Sequence, residues 1–228
     1  MIETRRPIPS AKIKVLLWDL DGTLVDSELD LAHAINAMLR HYKRAELPVE
    51  VVAGYIGDGA SMLVRRALGD PQDESFVQSA LEYFMHYYRG HLLDNTFVYP
   101  GILDVLRVLR QSGRFRMAVL SNKPVGPSQE ICEGLGLAEF MTIIYGGNSF
   151  STKKPDPEGA HALLTEHNVR PEEAIMISDS QNDVLTANNS GMFSIGVTYG
   201  LSPESLKIHK PDVLVDSAAE LLTVLGLG

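Results

Sequence analysis

Two hydrophobic rhythms alternate along the chain. Short unbroken apolar runs rich in β-branched residues occur at "IKVLLW" (13–18) and again over 116–121, 141–145, 173–178 and 193–197. Each is bounded by turn formers, the signature of a strand buried on both faces. Between the runs, apolar positions recur at helical spacing over 102–112, 126–135, 157–167 and 182–190, and a last strand–helix pair covers 213–225. Strands and helices of these lengths in alternation imply an α/β fold with a parallel sheet and helices on both faces. One stretch breaks the rhythm. From Asp26 onward Leu31, Ile35, Met38, Leu39 and Tyr42 share one helical face, and further helical stretches follow near 60–68 and 73–92 with no strand between them. Residues 25–95 therefore read as an all-helical insertion after the first strand, with residues 1–24 and 96–228 forming the sheet domain.

Composition adds exclusions. At 228 residues, with 45% hydrophobic and 21% charged positions, the chain has an ordinary globular balance, and no segment nears the roughly 18 apolar residues of a membrane span. The opening "MIETRRPIPSAK" lacks an apolar export core and reads as a short mobile arm, so a cytoplasmic location is expected. A net charge of −9 opposes binding to nucleic acid and anionic membranes, so an anionic partner must be a small molecule held by local charges. The single cysteine, Cys132, rules out an internal disulfide and reads as a packed thiol. The seven histidines show no ligand spacing, and Tyr83, Phe84, Tyr87 and Tyr88 read as packing within the insertion.

Parallel sheets bind ligands beyond the carboxyl ends of their strands, and those positions are chemically loaded here. The first strand ends in Asp19 and Asp21, followed by Gly22 and Thr23, and the second ends in Ser121 and Asn122. The loop after the third carries Lys153 and Lys154, and the fourth ends in Asp179 with Asp183 a helical turn on. Each piece alone is a turn, a cap or a solvated loop; their coincidence on one sheet edge is not. Two carboxylates 4 Å apart repel by about 4 kcal/mol at an effective dielectric of 20, and one lysine cannot offset four of them. A divalent cation beside Lys154 would, and an all-oxygen donor set selects magnesium. With Asp19 and Asp179 neutralised by metal, Asp21 is the carboxyl most easily kept protonated, as a general acid requires.

At these residues the chain resembles the haloacid dehalogenase superfamily of phosphatases over about residues 13–225. "DLDGTLVDS" resembles the first motif, Ser121 the second, Lys154 in "KKPDP" the third and "SDSQND" the fourth; Ser178 stands where glycine is usual. "YIGDGASMLVRRAL", "GGNSF" and "VTYG" are similar to segments of the phosphoglycolate phosphatases. The resemblance implies a Rossmann-like core with a helical cap, and phosphomonoester hydrolysis through an aspartyl-phosphate. Asp19 would be the nucleophile and Asp21 the acid and base. Ser121, Asn122 and Thr23 would surround the phosphate, Lys154 would neutralise charge, and Mg2+ would be held by Asp19, the Asp21 carbonyl and Asp179 with Asp183 in support.

Other readings remain. A dehalogenase has no alkoxide for Asp21 to protonate; a hexose-phosphate mutase shares the core motifs; a phospho-accepting signalling domain would need no 70-residue insertion; and a non-catalytic interaction protein would tolerate loss of Asp19 or Lys154, both of which are present. Sequence leaves monomer and homodimer equally open. In the cap, Gly57 and Gly59 flank a turn opening a helix whose free N–H groups suit an anion, and Arg65 lies one turn past Ser61. Gly57, Gly59 and Arg65 are thereby expected to read a carboxylate at the far end of a small ester such as 2-phosphoglycolate.

Overall fold

Strand β2 (Val15–Trp18) has all four side chains buried, because Leu16 and Trp18 enter an apolar layer on one face while Val15 and Leu17 enter a second layer on the other. The computed structural model, which describes residues 1–228, builds a seven-stranded sheet around it. Spatial order is β1 (Glu3–Thr4), β9 (Val213–Val215), β8 (Phe193–Val197), β7 (Ala174–Ser178), β2, β5 (Arg116–Leu120) and β6 (Ile143–Tyr145). All pairs are parallel except β1 with β9. Helices α5 (Ile102–Gln111), α6 (Val125–Gly134) and α9 (Ala218–Val224) feed Leu106, Ile131 and Leu221 into the larger layer. Helices α7 (Glu158–Glu166) and α8 (Gln181–Ser190) place Leu163 and Ala187 in the smaller one. The result is the helix–sheet–helix arrangement that the alternating rhythm predicts. Cys132 lies in the larger layer, and burial pushes its thiol up to about 12.

Between β2 and β5 the chain leaves through β3 (Val25–Asp26), runs through α1 (Glu28–His41), α2 (Val49–Ala53), α3 (Ala60–Ala67) and α4 (Glu74–Arg89), and returns through β4 (Phe97–Val98). β3 and β4 pair antiparallel, Val25 opposite Val98. Asp30 ties this junction: its buried carboxylate accepts from the Asn95 and Thr96 backbone N–H groups, the Asn95 amide and the Thr96 hydroxyl.

The amino-terminal segment is not the mobile arm its sequence suggests. Glu3 and Thr4 add an antiparallel edge to β9, and Arg5 and Arg6 both reach the buried carboxylate of Asp212, at 3.2 and 2.6 Å. Local composition could not show this, since the partner lies some 200 residues away and the pairing is decided by tertiary charge. No helix is long and apolar enough to cross a membrane.

Candidate active site

The carboxyl edge of the sheet gathers the four loaded strand ends. Asp19, one residue beyond β2, is 8% exposed; its Oδ1 accepts from the Leu20 N–H at 2.8 Å and from the Lys154 ammonium at 2.9 Å. Lys154 is also bonded to Asp183, which the first turn of α8 presents and the Ser180 hydroxyl supports at 2.8 Å. Burial opposes the charge of Lys154, but Asp183 and Asp19 outweigh it and hold the lysine protonated. Burial drives Asp19 the other way: with Asp183 and Asp179 adding repulsion and Lys154 pulling back, its carboxyl is pushed up to about 8. Asp179, raised to about 6 by burial, accepts from the Leu201 and Ser202 N–H groups at 2.8 and 2.9 Å. Gly22 makes this possible. Its φ of +82° and the 2.2 Å that would separate a Cβ from the Asp179 carboxylate leave no room for a side chain.

Several expectations need correction. Thr23 is fully buried; its hydroxyl accepts from the Asp179 N–H at 3.1 Å and faces Asp179 Oδ1 at 3.4 Å, so it positions the acid and does not reach the cleft. The Asn122 side chain is fully used on the Lys154 N–H, the Lys154 carbonyl and the Gly57 carbonyl, which leaves only its backbone N–H for an anion. Asp21 is not an isolated acid: both its oxygens lie 3.1 Å from the Lys123 ammonium, and the Ser27 hydroxyl donates to one of them. Arg65 points away from the cleft, toward Asp70, Glu74 and the Pro71 carbonyl. Those acids, five and nine residues on, were the sequence signal that it had nearer partners. Ser178, in place of the usual glycine, is buried and exchanges hydrogen bonds with the Ser180 backbone.

Lys123 is the residue that sequence reasoning missed. It follows Ser121 and Asn122 directly and looks like a solvated loop lysine before Pro124, yet it is 6% exposed and lies 4.7 Å from the Tyr88 ring centroid. Burial opposes its charge as well, and the Asp21 carboxylate restores it above the ordinary lysine value. The cleft between sheet edge and insertion is lined by Asp21, Ser121, Lys123, Gly59, Phe84 and Tyr88 among others and has a volume of about 40 Å³. The insertion closes directly on the core: the Asn122 amide meets the Gly57 carbonyl at 2.9 Å and the Asn182 amide meets Asp58 at 2.8 Å. A Cβ on Gly59, whose φ is +86°, would stand 2.9 Å from the Asn122 carbonyl oxygen.

Four carboxylates thus face two buried ammonium groups, an excess of two negative charges. That excess equals the charge of one divalent cation. The donors are hard oxygens: Asp19 Oδ2 has no protein partner and Asp179 Oδ1 meets only Thr23. The four carboxylates do not converge as a cage, however; no three His, Cys, Asp or Glu side chains are grouped to hold a metal by themselves. Asp21 is turned to Lys123 and Asp183 to Lys154, so backbone oxygen or water would have to complete the shell.

Comparison with known proteins agrees with this geometry. A family described as haloacid dehalogenase-like hydrolase matches residues 16–197. The phosphoglycolate phosphatase of Vibrio parahaemolyticus is 37% identical over 224 residues, 94% of this chain and 97% of that protein. That of Colwellia psychrerythraea is 36% identical over 93% of this chain and 96% of its own. Among solved structures, a predicted phosphoglycolate phosphatase from Haemophilus somnus superposes with a TM-score of 0.88 at 30% identity, over 93% of this chain and 98% of the other.

Proposed function

Since the chain belongs to the haloacid dehalogenase-like hydrolase family, we propose that it is a cytoplasmic, magnesium-dependent phosphatase that hydrolyses 2-phosphoglycolate or a similarly small phosphate ester through an aspartyl-phosphate. The observation that carries this reading is the placement of Asp19, buried at the carboxyl end of the central strand with Lys154 at 2.9 Å and Asp21 two residues on.

In the first step an Asp19 oxygen forms a bond to phosphorus while the phosphorus–ester oxygen bond breaks, and the departing alkoxide takes a proton from Asp21. In the second, water attacks the phosphoryl group, Asp21 takes its proton, and inorganic phosphate leaves with Asp19 restored. Lys154 spreads its charge over Asp19 and the incoming phosphoryl oxygens. The N–H groups of Asp21 and Asn122 donate to no protein acceptor, and the Ser121 hydroxyl accepts from the Lys123 N–H at 3.2 Å with its own proton uncommitted. These are donors for the phosphoryl oxygens. Lys123 and Ser27 hold the Asp21 carboxyl in place. Asp19 and Asp179, supported by Asp183, would hold Mg2+, which when bound neutralises negative charge on the carboxylates and the phosphoryl group.

The test is a hydrolysis screen over phosphoglycolate, glucose 6-phosphate and a nucleoside monophosphate, run with magnesium, after chelation and after magnesium is restored. The expected result is the highest kcat/KM on phosphoglycolate and activity that disappears and returns with the metal. Equal rates on all three esters, or full activity after chelation, would contradict the proposal.

A further inference from the structure

With Arg65 turned outward, the carboxylate of a bound substrate needs another reader, and on the insertion's side of the cleft one side-chain hydroxyl is uncommitted. Tyr88, on the last turn of α4, is 1% exposed, and its hydroxyl has no hydrogen-bond partner. An unpartnered hydroxyl at that burial is destabilising unless a ligand supplies the missing partner. Its ring is fixed on both sides, stacked on Phe84 with centroids 5.6 Å apart and covered by the Lys123 ammonium at 4.7 Å. Both residues line the cleft.

The remaining polar groups on that wall narrow the ligand. Lys123 is a donor only, and the first N–H groups of α3, beginning at Ala60, have no intrahelical acceptor. The Gly57 carbonyl is already taken by Asn122. Otherwise the wall is apolar: Leu31, Ile56, Leu63 and Met85. The carboxylate beside this wall, Asp21, is already held by Lys123 and Ser27, so the groups still open are donors, and these suit an acceptor-only terminus, a carboxylate, better than a hydroxyl. We infer that Tyr88 is the specificity residue of this enzyme, its hydroxyl donating to the distal carboxylate of the phosphate ester while the neighbouring Lys123 supplies positive charge.

This rests on the phosphatase reading of the same cleft, and the experiment separates the two. Wild type and Tyr88→Phe are assayed on 2-phosphoglycolate and on 2-hydroxyethyl phosphate, which has the same chain length and a hydroxyl in place of the carboxylate. Phenylalanine keeps the ring stacked on Phe84 and under Lys123, so the fold is retained; thermal unfolding of the variant confirms it. The wild-type ratio of kcat/KM should favour phosphoglycolate, and Tyr88→Phe should collapse that ratio by about tenfold to a hundredfold, chiefly through KM. Phosphoglycolate preference retained in Tyr88→Phe overturns the role of Tyr88 and leaves the phosphatase intact. A parallel loss on both esters, with the ratio kept, overturns it as well, since that is the mark of a structural residue. Wild type that hydrolyses both esters without preference overturns carboxylate reading, and wild type inactive on every phosphate ester overturns the phosphatase reading with it.

Discussion

Lys123 and Asp21 form an ion pair in which the lysine side chain is 4% exposed, so each charge depends on the other. Lys123→Met should leave Asp21 with only the Ser27 hydroxyl and cost about 3 kcal/mol of stability in urea unfolding. Removing both charges, in Lys123→Met combined with Asp21→Asn, should regain more than half of that loss; strictly additive losses would show that the two are uncoupled. The acids were legible in sequence because like charges crowded at a strand end have few structural excuses. Lys123 was not, because nothing local distinguishes a lysine folded inward over an aromatic ring from one in solvent. Thr23 and Arg65 failed for a related reason: spacing puts a side chain on a face but does not say which partner will claim it, and Asp179 and Glu74 claimed these two.

The insertion is joined to the core at two places, the β3–β4 junction and the Gly57–Gly59 edge. At the junction, the hydrogen bonds from Asn95 and Thr96 outweigh burial and hold the Asp30 carboxyl below the usual carboxylate range. A lowered folded-state value contributes stability above the unfolded value near 4, and that contribution is lost as pH falls through the folded value. Asp30→Asn should therefore be about 2 kcal/mol less stable than wild type at pH 7, with the gap narrowing at pH 3; a gap that does not change with pH would remove the carboxylate from the explanation. At the closing edge, Gly59→Ala would place a methyl group 2.9 Å from the Asn122 carbonyl oxygen in a left-handed backbone. The expected outcome is a severalfold rise in KM, with the melting temperature falling by only a few degrees because α3 itself survives. An unchanged KM would mean that this edge need not close for substrate to bind. Strands and helices of the core were readable because a parallel sheet buries whole apolar runs, whereas β1, β3 and β4 were not, being two-residue strands whose pairing is decided by distant partners.

Taken as a whole, the molecule sets a sheet edge with four acids and two lysines beneath a helical insertion that shuts on it through Gly57 and Asp58. Everything proposed for it turns on Asp19 forming a covalent bond to phosphorus. Protein mixed with radiolabelled phosphoglycolate and magnesium, quenched in acid during turnover, tests that directly. The account predicts label bound to protein, stable in acid and released by hydroxylamine as an acyl phosphate must be, mapping to the peptide that contains Asp19 and missing from an Asp19→Asn variant that remains folded. Phosphate released with no protein-bound label at any time, or label and turnover persisting in Asp19→Asn, would contradict it.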